Sequence, residues 1–184
     1  MPKAKYSIDL IKQMAVCDAN YILLLKLLPQ LQAYLDKSFA SIASHGGATQ
    51  ADSLRDQPEK LLEGISREFC IADLEDSRQK VTVEITIVEA FKYTTTLEIV
   101  QKPEFKDWMT NPSMIVRVYH DASTAEVMSY QGHRNLKPRY SQPNPKMYHA
   151  DEKMQVNGFL GEWLSHCLKV GRSTQAPELL EPIS

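Results

Sequence analysis

Val81-Thr82-Val83-Glu84-Ile85-Thr86-Ile87 alternates strictly between apolar and polar side chains. A period of two places the valines and isoleucines on one face of a β-strand and Thr82, Glu84 and Thr86 on the other, so one face is buried and the other meets water. Phe69 to Leu74 reads as a strand before it. Tyr93 to Val100, with three consecutive threonines, Met114 to Tyr119, and Ala125 to Tyr130 read as strands after it. Five strands with short links form an antiparallel meander, because parallel neighbours would need long crossovers. Only the connection Gln101–Pro112, which carries Trp108, is longer.

Helices are expected on both sides of this series. Leu10, Met14, Cys17, Tyr21, Leu24 and Leu28 recur at helical spacing behind Ser7, a suitable N-cap. Pro29 ends or kinks that helix, and Leu31, Leu35, Phe39 and Ile42 continue a second stripe up to Gly46-Gly47. Asp56 and Glu59 have capping-box spacing around Pro58, which predicts a short helix through Leu61 and Leu62. A last helix opens with Asp151 and Glu152, carries Val156, Phe159, Leu160, Trp163 and Cys167 as its apolar stripe, and stops at Gly171. Gly158 and Gly161 inside it cost roughly 1 kcal/mol each against alanine, which predicts a close approach to the sheet or to another helix. The fold class is therefore α+β: N-terminal helices, a five-stranded antiparallel β-meander and a C-terminal helix packed on the sheet.

The chain has 184 residues, 43% of them hydrophobic, enough for one buried core and short for two. A single domain over 1–172 with a disordered tail over 173–184 follows, the tail being rich in proline and acid. Cys17, Cys70 and Cys167 are odd in number and lack the paired spacing of a zinc site or a disulfide framework, so they read as reduced, buried thiols. No run of ~18 apolar residues occurs. The N-terminus lacks the apolar region and cleavage site of a signal peptide. The expected location is the cytoplasm, with no membrane association.

The net charge is −2, but it is unevenly placed: residues 52–78 hold eight acids against four bases, whereas residues 127–150 hold Arg134, Lys137, Arg139 and Lys146 and no acid. That second stretch is long, irregular and punctuated by proline, the kind of connection that is often functional. Its bases, interleaved with Tyr140 and Tyr148, suit phosphate oxygens and stacked bases. The structural alternative is that they pair with the acidic stretch while the tyrosines cover the core. Arg117, Arg134, Lys137, Arg139, Tyr140, Lys146, His149 and Lys153 are the candidate binding residues for a protein, an anionic or nucleotide-type ligand, or less directly a nucleic acid.

His120 and Asp121, with Asp151 or Glu152, are the candidate catalytic residues of a competing reading, a phosphate-handling hydrolase. Against it, neighbours on a strand point to opposite faces, and Asp121 suits a hairpin turn. His149 with Asp151 equally suits a helix cap. A zinc site from His120, His133 and His149 matches no ligand spacing, and no cofactor or metal is expected. There is no dinucleotide fingerprint, phosphate-binding loop or serine-nucleophile elbow. A third reading is a small-ligand pocket between the sheet and the last helix, lined by Tyr119, Phe159 and Trp163. Oligomeric state is not readable.

Ile87-Val-Glu-Ala-Phe-Lys-Tyr-Thr-Thr-Thr-Leu97, Pro112-Ser-Met-Ile-Val-Arg-Val-Tyr-His-Asp-Ala122, Ala125-Glu-Val127, Arg139-Tyr140 with Pro143-Asn144, and Asp151-Glu-Lys-Met-Gln-Val-Asn-Gly-Phe-Leu160 with Trp163-Leu164 resemble, in this order, the YqiB-like bacterial proteins, a domain family of unknown function. The resemblance runs from the first helix to about Gly171. It implies a small cytoplasmic protein with an association to nucleotide metabolism, and it brings no catalytic residues. Residues 36–64 depart from the family pattern and read as an additional helical and polar segment of this branch. The leading expectation is a non-enzymatic interaction or regulatory protein that binds an anionic partner through the basic loop.

Overall fold

The computed structural model describes residues 9–44, 58–74, 79–102, 112–131, 133–134 and 152–173. Its sheet is built on the alternating stretch, which lies in β2 (Gln79–Ala90). Around it stand β1 (Ser66–Leu74), β3 (Thr94–Lys102), β4 (Ser113–Tyr119) and β5 (Thr124–Tyr130), each antiparallel to the next. Two-residue strands β6 (His133–Arg134) and β7 (Arg172–Ser173) extend the two edges, giving the order β6-β5-β4-β3-β2-β1-β7. The meander is as expected; the strand number is seven instead of five, because a two-residue strand has no periodicity to read. Val83, Ile85, Ile87, Leu97, Ile99, Val116, Val118, Ala125 and Val127 are all fully buried, so one face of every long strand from β2 to β5 enters the core.

Three helices accompany the sheet: α1 (Leu10–Leu27), α2 (Pro29–Ser44) and α3 (Glu152–Val170), with a 3-10 turn at Pro58–Leu62. Asp9, not Ser7, caps α1: its side chain accepts from the Lys12 amide at 3.0 Å. Proline disfavours helical geometry in the residue before it, and Leu28, at φ −118° and ψ 73°, breaks the helix there. The axes of α1 and the first part of α2 differ by 104°. Leu24, Leu28, Leu31 and Leu35 are buried across this corner. Leu10 and Met14, expected on the inner stripe, are 62% and 55% exposed, because α1 meets the rest of the core only from Cys17 onward.

α1 packs against α3 and β5, and α3 touches both β5 and β1. The buried residues of α3 are Asn157, Leu160, Trp163, Leu164 and Cys167, so the inner face is rotated slightly from the expected stripe and Phe159 is 39% exposed. Gly161 accounts for the close approach of α1 to α3: a Cβ there would lie 2.8 Å from Asn20 Oδ1. Gly158 has no such neighbour, since a Cβ would meet nothing within 4 Å. At Gly171 a side chain would collide with the Cys167 carbonyl, and the Gly171 amide donates to that oxygen at 2.9 Å. The chain then pairs with β1 through Arg172 and Ser173, so the expected disordered tail does not begin at Ser173; residues 174–184 lie outside the described residues, as do 45–57 of the additional segment.

All three cysteines are free and buried, as expected. Burial pushes the thiols of Cys17 and Cys167 up to about 11, helped at Cys17 by the nearby Glu126 carboxylate. At neutral pH these thiols are protonated and are not activated nucleophiles.

Candidate functional site

Arg117, His120, Asp121, Glu152 and Lys153 are the predicted site residues whose side chains are described, and they gather where the β4–β5 hairpin meets α1 and the start of α3. Arg134 contributes its backbone to β6, opposite Ser129. Lys137, Arg139, Tyr140, Lys146, His149 and Asp151 lie outside the described residues.

His120 opens a four-residue turn that ends at Ser123, a non-glycine residue at φ +54°. The chain turns there because Asp121, Ala122 and Ser123 are small or polar and form no part of the alternation. His120 faces inward and is 3% exposed; its amide donates to the Tyr93 carbonyl at 2.9 Å, its Nε2 lies 2.8 Å from Thr95 Oγ1, and its ring meets Tyr21 edge-on. Nδ1 has no partner. Burial pushes the imidazole down to about 4, only partly offset by Asp121, so the ring is neutral at physiological pH. Asp121 is exposed on the outside of the turn. The pair therefore divides between core and solvent instead of converging on one cleft. Among the described residues no group of three histidines, cysteines or carboxylates could hold a metal.

Glu126 is the centre of the corner. It lies opposite Arg117 in the β4–β5 register. Its Oε1 accepts from the Tyr119 hydroxyl at 3.2 Å and its Oε2 from Lys153 Nζ at 2.6 Å. The Lys153 and Glu126 side chains are only 15% and 24% exposed, so this ion pair is shielded from solvent and its partners depend on each other. Burial, followed by the Glu126 charge, pushes the Tyr119 hydroxyl above its ordinary value. Both carboxylate oxygens are thus occupied. Arg117, which also lies opposite Thr96 on β3, is half-buried, and its Nε lacks a hydrogen-bond partner among the described residues.

Beneath the ion pair, two asparagines close the sheet edge. Among the described residues β6 pairs with Ser129 and Tyr130 and does not reach Val127, whose amide points away from β4. Asn157 Oδ1 accepts from it at 2.9 Å, while Asn157 Nδ2 donates to the Lys153 carbonyl at 2.8 Å. Asn20 Nδ2 donates to the Asn157 carbonyl at 3.0 Å, tying α1 to α3. Both asparagines are fully buried. Sequence reasoning passed over them because the stripes were drawn from apolar residues; the legible signal was an asparagine inside each stripe, beside Tyr21 and three residues before Leu160.

The predicted pocket residues behave as core and rim. Phe159 stacks on Trp163 at 5.9 Å between ring centroids, and Tyr130 meets Phe159 edge-on. The open concavity lies elsewhere, between α1 and α3.

A model of a protein family of unknown function, DUF1249, matches residues 23–173, a span that takes in the whole sheet and α3. The chain belongs to the DUF1249 family. Curated relatives include the uncharacterized protein YqiB of Escherichia coli strain K12 and its counterparts in strains O6:H1 and O157:H7, each 47% identical over 87 residues, 47% of this chain. The matched region spans 62% of the length of those relatives. This agrees with the resemblance drawn from the motifs. No solved structure matches the chain. No single described helix is long and apolar enough to cross a membrane.

Proposed function

We propose that this DUF1249 member is a non-enzymatic cytoplasmic interaction or regulatory protein that takes an anionic partner on the outer side of the β4–β5 hairpin. The observation that carries the reading is the contrast between two cations at one corner. Lys153 is neutralised by Glu126, whereas Arg117 keeps a buried Nε without a hydrogen-bond partner among the described residues, and the carboxylate facing it is already engaged by Tyr119 and Lys153. A guanidinium with spare donors suits carboxylate or phosphate oxygens. The described residues on either side of the basic segment support the same side. The segment leaves the sheet at β6 beside β5 and rejoins the fold at α3, whose first turn holds Lys153 against Glu126 of β5. Arg134, Lys137, Arg139 and Lys146, with Tyr140 and His149, therefore belong to a connection whose two ends are both anchored at that edge.

The test is native affinity capture from a bacterial lysate with wild type, Arg117→Gln and the double variant Arg134→Glu, Arg139→Glu, identifying bound proteins, RNA and small molecules. An anionic species that is released by salt, and lost from both variants at unchanged melting temperature, is the expected result. Identical capture from wild type and variants, or variants that fail to fold, would overturn the reading.

A further inference from the structure

One buried polar atom is left unused by the network that joins α1 to α3. Asn20 is fully buried and its Nδ2 donates to the Asn157 carbonyl, but its Oδ1 has no hydrogen-bond partner among the described residues. A buried acceptor without a donor is costly and is uncommon in folded proteins. The oxygen faces the gap left by the missing side chain of Gly161: it lies 2.8 Å from where a Cβ would stand, and apart from the adjoining part of α3 nothing but Asn20 approaches that point within 4 Å.

Asn20 and Gly161 both line an open groove between α1 and α3 of about 540 Å3, a volume within the range of small-molecule sites. Val16 and Leu23 stand about one turn to either side of Asn20 along the α1 wall, and Gly158 lines the α3 wall about one turn before Gly161. Gly158 is a second sign of an occupant, independent of the first. A mid-helix glycine is costly unless something lies close to the backbone, and here a Cβ would meet nothing of the protein itself within 4 Å.

We infer that this groove binds a small molecule that carries a single primary ammonium on an aliphatic body. The ligand must bring a donor, because the two polar groups beside Gly161 are both acceptors. One is Asn20 Oδ1 in the floor; the other, next in sequence to Gly161, is the Glu162 carboxylate, which is exposed and in no ion pair among the described residues. An ammonium has three donors to share between them, and its hydrogen bond to a carboxylate is charge-assisted. Val16 and Leu23 give the hydrocarbon its apolar contact. Lys169 limits the charge: it lines the groove two turns beyond Glu162, about 10 Å along the helix, where a second ammonium would meet a like charge. The groove is separate from the β4–β5 corner, and its test stands or falls independently of the anionic-partner reading.

The experiment is a proton–nitrogen correlation NMR titration of the full chain at fixed pH with hexylamine, and with hexanoate as the probe of opposite charge. It uses wild type, Glu162→Gln and Gly158→Leu. In wild type, hexylamine is expected to give saturable shifts centred on the Gly158 and Gly161 amides and the Asn20 side-chain amide, with about millimolar affinity, as suits so small a ligand. Hexanoate should leave these signals unmoved. Glu162→Gln changes an exposed position and Gly158→Leu places its side chain in open space, so both are expected to keep the wild-type melting profile. The first should weaken hexylamine about fivefold, the scale of a partly exposed ion pair, and the second should abolish saturation by filling the groove. Absence of saturable shifts at the groove would overturn the inference. So would hexanoate and hexylamine binding alike, which would leave an apolar groove with no ammonium site, or hexylamine binding that neither variant alters.

Discussion

The centre of the sheet and its β5 corner solve the same problem by opposite means. Between β2 and β3 every strand has a neighbour on both sides, the backbone satisfies itself, and the inner face is closed by Val83, Ile85, Leu97 and Ile99. At Val127 no further strand lies alongside among the described residues, and the edge is closed by a side chain: Asn157 receives the amide, Asn20 fastens Asn157 to α1, and Glu126 with Lys153 seals the outside. An unpaired edge amide in the interior is expensive, and an open edge invites another strand. Apolar packing is therefore sufficient at the centre, while the corner requires polar groups in fixed geometry. The same corner carries Arg117, so the proposed binding face stands on a polar foundation rather than on the apolar core.

The comparison can be broken most forcefully at the centre. Ile85→Ala removes a fully buried side chain from the middle of the sheet's inner face, and should cost about 4 kcal/mol in chemical denaturation. A cost below that of removing Asn157 would show that the centre is not the stronger of the two regions.

The corner should, by contrast, be sensitive to acid. His120 is held neutral, with its value lowered from 6.5 to about 4. Above pH 6.5 the ring is neutral in folded and unfolded chains alike, and its contribution is fully present. Between there and pH 4 the unfolded chain takes up a proton that the folded ring refuses, so stability falls as pH falls, by about 3 kcal/mol in all. Denaturation at a series of pH values should show a steeper acid slope for wild type than for His120→Gln; equal slopes would remove His120 as the cause.

Smaller effects sharpen the contrast. Asn157→Ala leaves the Val127 amide unpaired in the interior and should cost about 2 kcal/mol. Pairing it with Asn20→Ala should give less than the sum of the single costs, because the two residues act through one network. Gly158→Ala has the opposite sign: with open space at the new Cβ it should stabilise the fold by up to about 1 kcal/mol, read as a small rise in melting temperature.

What the sequence disclosed follows the same division. Alternation over Val81–Ile87 and the threonine-rich stretch at 94–96 announced the central strands, because apolar packing leaves a periodic mark. Pro29 and Gly171 marked the helix ends through backbone geometry that a single residue controls. The corner left no such mark. Asn20 and Asn157 each interrupt an apolar stripe, Glu126 is an ordinary outward position of its strand, and only the fold shows that the three meet. Arg117 and Lys153 both read as basic, but which of them is neutralised depends on Glu126, distant in sequence from Lys153. His120 was legible as unusual, whereas its burial against Tyr21 and Thr95 depended on how α1 crosses the hairpin.

Native-state hydrogen exchange of the Val127 amide, in wild type and in Asn157→Ala, tests most directly whether a side chain closes the β5 edge. Wild-type Val127 should be protected to nearly the same degree as Ile85 and Leu97, and the substitution should strip protection from Val127 beyond any global loss shared by those two amides. If Val127 remains as protected as the sheet centre in the variant, the edge is closed by something other than Asn157 and the division between the two regions fails.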